Sequence, residues 1–250
     1  MNIAGTLPSL SASQMAEIDR IMLQDFGVGS LQLMELAGHA VASFAREHQL
    51  DGLAHDKRIV VLAGTGGNGG DGMVAARLLT AWGANVSVIL TRPVEDHAGI
   101  ALHQLGILER WGIPLIDGSR GVPASIPEDT SLIIDGLLGF SLEGDPHGTA
   151  AELIEVANAA AAPILAIDLP SGLNATTGEI GAPCIRAAAT LTLALPKSGL
   201  GVDDIRAVTG DLWLADIGVP PAAYARIGVP LSALIFTSQP FLRLSTGPTR

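Results

Sequence analysis

The chain is short of cysteine, lysine, aromatic residues and long apolar runs, and each shortage removes a class of protein. Cys184 is its only cysteine, which excludes an intrachain disulfide and an all-cysteine metal site. Lysine occurs only at Lys57 and Lys197 and the net charge is −11, so a nucleic-acid backbone would be repelled unless the arginines clustered. Aromatics at 4% are too few for a base-stacking platform. No apolar run approaches the roughly 18 residues of a membrane span. The opening MNIAGTLPSL has no basic residue ahead of an apolar segment, unlike a secretory signal. The expectation is a cytoplasmic protein that binds neither nucleic acid nor membrane.

What the chain does contain is enough for a buried core: 250 residues, 48% hydrophobic and only 16% charged. Two helices are expected first. Ser11 and Gln14 have capping-box spacing, with Met15, Ile18 and Met22 following on one face. After FGVGS, Met34, Ala37, Val41 and Phe44 share a face on which Gly38 permits close packing. These helices should cover the sheet or join an oligomer contact. From residue 58, strand-like runs (58–64, 85–90, 131–136, 163–168, 190–195, 211–216) alternate at first with helix-like stretches near 72–82, 97–111 and 149–161. The runs are continuously apolar, as in strands covered on both faces. The order predicts a three-layer αβα, Rossmann-like, doubly wound, mostly parallel sheet with extra N-terminal helices. No linker or repeat divides residues 1–250, so a single domain is expected.

Ligands of such sheets bind at the carboxyl ends of the strands, where three glycine-rich turns should meet. The first, GTGGNGGDG, runs from Gly64 to Gly72. Gly64, Gly66 and Gly69 satisfy G-x-G-x-x-G, which would place a pyrophosphate on a helix amino terminus. Among 30 glycines that pattern is unspecific by itself. The acid expected after the second strand is missing; Arg92 stands there and could face a 2′-phosphate. No Gly-Lys-Ser/Thr follows, so a P-loop is excluded. Asn68 and Asp71 add an amide and a carboxylate. An acid beside phosphate is repulsive unless a cation or a ligand hydroxyl intervenes, which suggests a hard cation or a sugar contact. The alternative is local: Asp71 capping the next helix and Asn68 in a left-handed turn. The third run ends at Asp135 before GLLGFSLEGD and the fourth at Asp168 in DLPSG.

GTGGNGGDGMVAARLL resembles the G-x-G-N-N-G-G-D-G-hydrophobic-x-A-A-R-x-L signature of NAD(P)HX epimerases, the YjeF amino-terminal domain. LMELAG (33–38), DGLLGFSLEGD (135–145), DLPSGLNATTGE (168–179), and LPKSG with DLWLADIGVP (195–220) agree in the same order, so the resemblance covers roughly 10–220. It implies an isomerase that interconverts the R and S forms of NADH or NADPH hydrated at nicotinamide C6, so that a separate dehydratase can restore the cofactor. It also implies a homodimer and, with the chain ending at 250, the stand-alone form. Carried over, Gly67, Asn68, Gly69, Gly70 and Asp71 would contact the hydrate. So would Gly139, Phe140, Ser141, Leu142, Glu143, Gly144 and Asp145, and Asp168 as well. Asn68, Asp135 and Ser171 would hold a potassium ion, and their oxygen donors suit a hard alkali cation. Gly67 stands where the family has Asn, Leu36 where Asn is usual, and Ala188 where Asp is common.

Inverting C6 requires its hydroxyl to leave and return on the other face, driven by the ring-nitrogen lone pair once an acid protonates the leaving oxygen. Asp168 is the candidate for that catalytic role; its local alternative is to cap the turn at Pro170-Ser171-Gly172. Asp135 could merely end its strand, and the assignment of Ser171 rests mainly on the resemblance. Lys197 either offsets ligand phosphate or is solvated. Glu143 lies near the proposed site without a visible partner, His147 reads as a surface-loop residue and Cys184 as inert. Residues 221–250 fall beyond the resemblance, with LSALIF as a possible edge strand or partner contact and STGPTR as a loose end. Two other functions compete: an NAD(P)-dependent oxidoreductase using the glycine loop conventionally, and a non-catalytic binding module.

Overall fold

The computed structural model describes residues 7–202, 204–231 and 234–244. Its strands are β1 (Arg58–Ala63), β2 (Asn85–Leu90), β3 (Leu115–Asp117), β4 (Thr130–Gly136), β5 (Ile164–Ile167), β6 (Ala189–Leu193), β7 (Asp211–Ala215) and β8 (Phe241–Arg243). They form one sheet ordered β3-β2-β1-β4-β5-β6-β7-β8, parallel throughout except for the final pair. The winding direction reverses between β1 and β4, whose registers bring Leu62 beside Asp135 and Ala63 beside Gly136 at the carboxyl edge. That reversal opens a crevice there, which is where such sheets bind ligands.

Alternating strand residues explain why both faces are covered. Ile59, Val61 and Ala63 of β1 join a core with α1 (Ala12–Gln24), α2 (Ser30–Phe44), α3 (Gly67–Ala81) and α4 (Gly99–Arg110). Val60 and Leu62 point the other way, into a core with Leu153, Ile154 and Ala157 of α5 (Gly148–Ala159). Both side-chain sets of one strand are thus removed from water, which selects the continuously apolar sequence. Two further short helices follow, α6 (Arg206–Thr209) and α7 (Pro221–Arg226). No helix among the described residues is long and apolar enough to cross a membrane.

The capping box at Ser11 and Gln14 forms, with Ser11 Oγ accepting from Gln14 N at 3.2 Å and Gln14 Oε1 accepting from Ser11 N at 2.9 Å. Gly38 does allow α2 to approach α3, since a Cβ there would overlap Val74. The third helix differs from expectation. It begins at Gly67 rather than near 72, so the glycine-rich segment is itself the first turns of a helix. Poor helix propensity there yields to packing, because a Cβ at Gly69 would overlap the Gly64 carbonyl and one at Gly70 would overlap Met34. The short, half-exposed β3 was not expected. LSALIF forms no strand among its described residues, and Ser232 and Ala233 lie outside them. Phe241–Arg243 supplies the antiparallel edge instead, and STGPTR also lies outside the described residues.

Candidate functional site

Asn68, Asp135 and Ser171 converge. Asp135, wholly buried near the end of β4, accepts from Ser171 Oγ at 2.6 Å, Ser171 N at 2.8 Å and Leu137 N at 3.2 Å. Ser171 Oγ accepts in turn from Leu138 N at 2.9 Å. Asn68 Nδ2 donates to the carbonyls of Leu138 and Ile167, each at 2.9 Å, tying the first turn of α3 to the loops after β4 and β5. The Asp135 carboxylate, the Ser171 hydroxyl and the Leu138 carbonyl therefore gather here, with the Asn68 amide turning its Nδ2 toward the Leu138 and Ile167 carbonyls. All three donors to Asp135 are neutral, and burial pushes its carboxyl up to about 6. A desolvated acid with oxygen neighbours and no basic partner fits a bound alkali cation. Among the described residues no cluster of three or more His, Cys, Asp and Glu could hold a metal, so the donor set is not that of a transition-metal site.

Beside this network lies a cleft of about 300 Å³, between α1 and α2 on one side and the carboxyl edge of the sheet on the other. Met15, Leu23, Leu33 and Met34 give it an apolar lining; Gly67, Asn68, Asp71, Phe140, Asp168 and Lys197 give it chemistry. Asp71 is the fifth residue of α3 and Asn68 its second, so neither the capping nor the left-handed-turn alternative holds. Asp71 is nearly buried, and desolvation, reinforced by the charges of Asp168 and Asp19, raises its carboxyl well above the ordinary range.

Asp168 follows β5 directly in a left-handed conformation, φ +65°, a strained state for a residue with a Cβ. That turn points its carboxylate across to the end of β6. Oδ1 accepts from Thr192 Oγ1 and Leu193 N, both at 3.0 Å, and from the Lys197 ammonium; it does not cap the Pro170-Ser171-Gly172 turn. Oδ2 has no hydrogen-bond partner among the described residues and is the oxygen left for a ligand. Lys197 is neither solvated nor free for phosphate: it is 1% exposed and also donates to the Leu193 carbonyl at 2.8 Å.

Other expected contacts fall elsewhere. Of the segment Gly139–Asp145 only Phe140 lines the cleft. Gly139 packs against the Asn68 side chain, Asp145 accepts from Ala182 N at 2.9 Å, and Ser141, Glu143 and Gly144 are exposed, with Leu142 half-buried. Gly69 and Gly70 are buried beneath the lining and serve packing. Arg92 is exposed outside the cleft, as is His147 at the amino end of α5. Burial pushes the Cys184 thiol up to about 12, which leaves it unreactive.

Sequence reasoning missed Asp19. It lines the cleft from α1, and burial with the nearby Asp168 charge raises its carboxyl to about 6, moderated by Lys197. A signal existed: Asp19 is four residues after Met15 and three before Met22, so an acid interrupts the apolar face of an amphipathic helix.

The family model described as YjeF-related protein N-terminus matches residues 30–199, which is more than half of the chain. This chain belongs to that family. An NAD(P)H-hydrate epimerase from Dehalogenimonas lykanthroporepellens is 40% identical over 220 residues, covering 86% of this chain and 84% of that protein. A bifunctional NAD(P)H-hydrate repair enzyme, Nnr, from Moorella thermoacetica is 38% identical over 215 residues, covering 84% of this chain but 40% of its own length. The crystal structure of the yeast protein ynu0 superposes with a TM-score of 0.79 at 29% identity, covering 95% of this chain and all of that one. Departures from the YjeF signature separate by position. Ala188 precedes β6, at the sheet edge away from the cleft, so an acid missing there takes nothing from it. Leu36 is about half exposed on α2. Gly67 lines the cleft directly.

Proposed function

We propose that this protein is an NAD(P)H-hydrate epimerase, exchanging the R and S hydrates of NADH and NADPH as one step of cofactor repair. The observation that carries the reading is the 40% identity to a named epimerase over 84% of that protein's length. The cleft chemistry agrees: carboxyls and an ammonium are gathered where water must leave and re-add at C6. Apolar side chains line the rest, a surrounding that strengthens those polar interactions.

In this reading the nicotinamide end enters the cleft against Phe140, with Asp168 Oδ2 on the reacting hydroxyl and Lys197 fixing that carboxylate through Oδ1. Backbone amides at the start of α3 face the anionic linkage. Asn68, Asp135 and Ser171 hold a potassium ion, which when bound would supply positive charge to offset the nearby acids and the dinucleotide. Its product passes to an NAD(P)HX dehydratase, an activity consistent with the bifunctional naming of some relatives. Exposed Leu23, Phe26, Leu31 and Leu36 offer apolar surface for a second copy, and the proposed location is the cytoplasm.

Purified protein given one hydrate epimer should produce the other by chromatography, faster with potassium than with choline, and with no gain or loss of reduced-nicotinamide absorbance. Absorbance changes matching hydride transfer would instead indicate an oxidoreductase; binding without turnover would indicate a binding module.

A further inference from the structure

Three carboxyls and one ammonium share the cleft, and the network already described accounts for only two of them. Asp168 and Lys197 bind each other. Asp19 and Asp71 line the same space yet neither accepts a hydrogen bond among the described residues, so both present free carboxyl oxygens to whatever enters. Asp19 comes from α1, outside the sheet, whereas Asp168 comes from the strand edge. A molecule held in the cleft meets carboxyls contributed by both the helix layer and the sheet edge.

Inversion at a carbon by loss and return of water uses both faces of the ring. One acid can serve both only if the ring turns over between steps; two carboxyls from different walls remove that requirement. We propose that Asp19 is a second catalytic acid–base group, exchanging protons with the C6 hydroxyl on the face that Asp168 does not serve. The proposal rests on the epimerase reading. In one direction the C6–O bond breaks with its electron pair going to oxygen, which takes a proton from the Asp19 carboxyl and leaves as water. The ring-nitrogen lone pair forms the C6=N bond. Water then adds to the other face, the C=N pair returns to nitrogen, and Asp168 Oδ2 takes the surplus proton. The reverse reaction exchanges the roles, and no electrons are gained or lost. Asp71 lines the same cleft and is coupled to both acids by charge.

The groups around Asp19 act on its carboxyl in opposite directions, with burial dominant. Burial raises it to about 6, Asp168 adds to this and Lys197 opposes it. Asp71 faces it from α3. On α1 itself Arg20 is engaged by Glu17 and Asp25, and Arg226 of the packed α7 is held by Asp25; α2 lines the cleft with Ser30 and apolar groups.

The test compares unaltered protein, Asp19→Asn and Asp19→Glu in water labelled with heavy oxygen. Asp19→Asn should lose roughly 100-fold or more in kcat, and its label uptake at C6 should fall equally, while KM and melting temperature change little. Asp19→Glu should restore part of both. In the unaltered protein kcat/KM should fall as pH rises through about 6, where the free carboxyl loses the proton it donates; this limb should vanish in Asp19→Asn and persist in Asp19→Glu. Near-normal turnover in Asp19→Asn, or an unchanged limb, overturns the proposal and leaves the epimerase reading standing. If the unaltered protein exchanges no epimers, the reading itself fails.

Discussion

Replacing Lys197 by Met isolates the buried ion pair at the cleft. Methionine keeps most of the apolar length and deletes the ammonium, so little empty volume is created. Asp168 would be left with two neutral donors at 3.0 Å and with Asp19 and Asp71 as acidic neighbours. Stranding one member of a buried pair costs about 3–5 kcal/mol. At about 2–4 °C per kcal/mol for a chain of this size, the melting temperature should fall by about 6–20 °C. Adding Asp168→Asn removes the stranded charge, and the double variant should regain most of the loss, because deleting both partners is often close to neutral. Urea unfolding of the four proteins, followed by circular dichroism, gives the coupling energy directly. The penalty of Lys197→Met alone should shrink from pH 8 to pH 5 as Asp19, whose carboxyl is raised to about 6, takes up a proton and stops repelling Asp168. A single-variant loss of less than about 1 kcal/mol, the size of an exposed pair, would refute the reasoning. So would a double variant no more stable than Lys197→Met.

Asp135 gives a prediction of opposite sign from an ordinary salt-bridged acid. Its folded value is raised from 3.8 to about 6, so its contribution is complete below about 4 and lost as pH rises through about 6. At roughly 1.4 kcal/mol per pH unit that loss is about 3 kcal/mol. In potassium-free buffer the stability of Asp135→Asn relative to the unaltered protein should therefore rise from pH 4 to pH 8; a difference that does not change with pH would show that the carboxyl is not raised. Potassium chloride, compared with choline chloride at pH 8, should raise the melting temperature of the unaltered protein by a few degrees and that of Asp135→Asn not at all. Equal shifts would remove Asp135 from the ion site. A Cβ at Gly67 meets nothing within 4 Å, so Gly67→Asn should fold normally and change KM more than kcat; a large drop in melting temperature would contradict this. Gly69→Ala drives a Cβ into backbone that has no flexible end to yield, and should cost about 3 kcal/mol or more in urea unfolding.

The architecture was legible because burial on both faces leaves a plain mark: β1, β2, β4, β5, β6 and β7 fall within one or two residues of the apolar runs. The failures have separate physical causes. β3 is three half-exposed residues and leaves almost no hydrophobic trace, while β8 forms by pairing with β7 rather than through any strong local preference. In LSALIF the apolar composition alone suggested a strand, without the pairing that makes one. The helical start at Gly67 could not be read from propensity, because contacts with Gly64, Met34 and Val61 decide it. Within the site, the types of Asn68, Asp135, Asp168 and Ser171 announced oxygen chemistry, and the sheet rule placed their loops together. The burial of Lys197 and the inward aim of Asp19 depend on how α1 docks, which no local pattern encodes.

That docking has a kinetic consequence. Leu10 bridges the Lys197 loop, with Leu10 N donating to the Pro196 carbonyl and Ser198 N donating to the Leu10 carbonyl, each at 2.9 Å. The first helix is therefore latched by a segment made almost two hundred residues later. Closing so long a loop is slow. During synthesis or refolding, the sheet and its other covering helices should gather before α1 is latched and the cleft is complete.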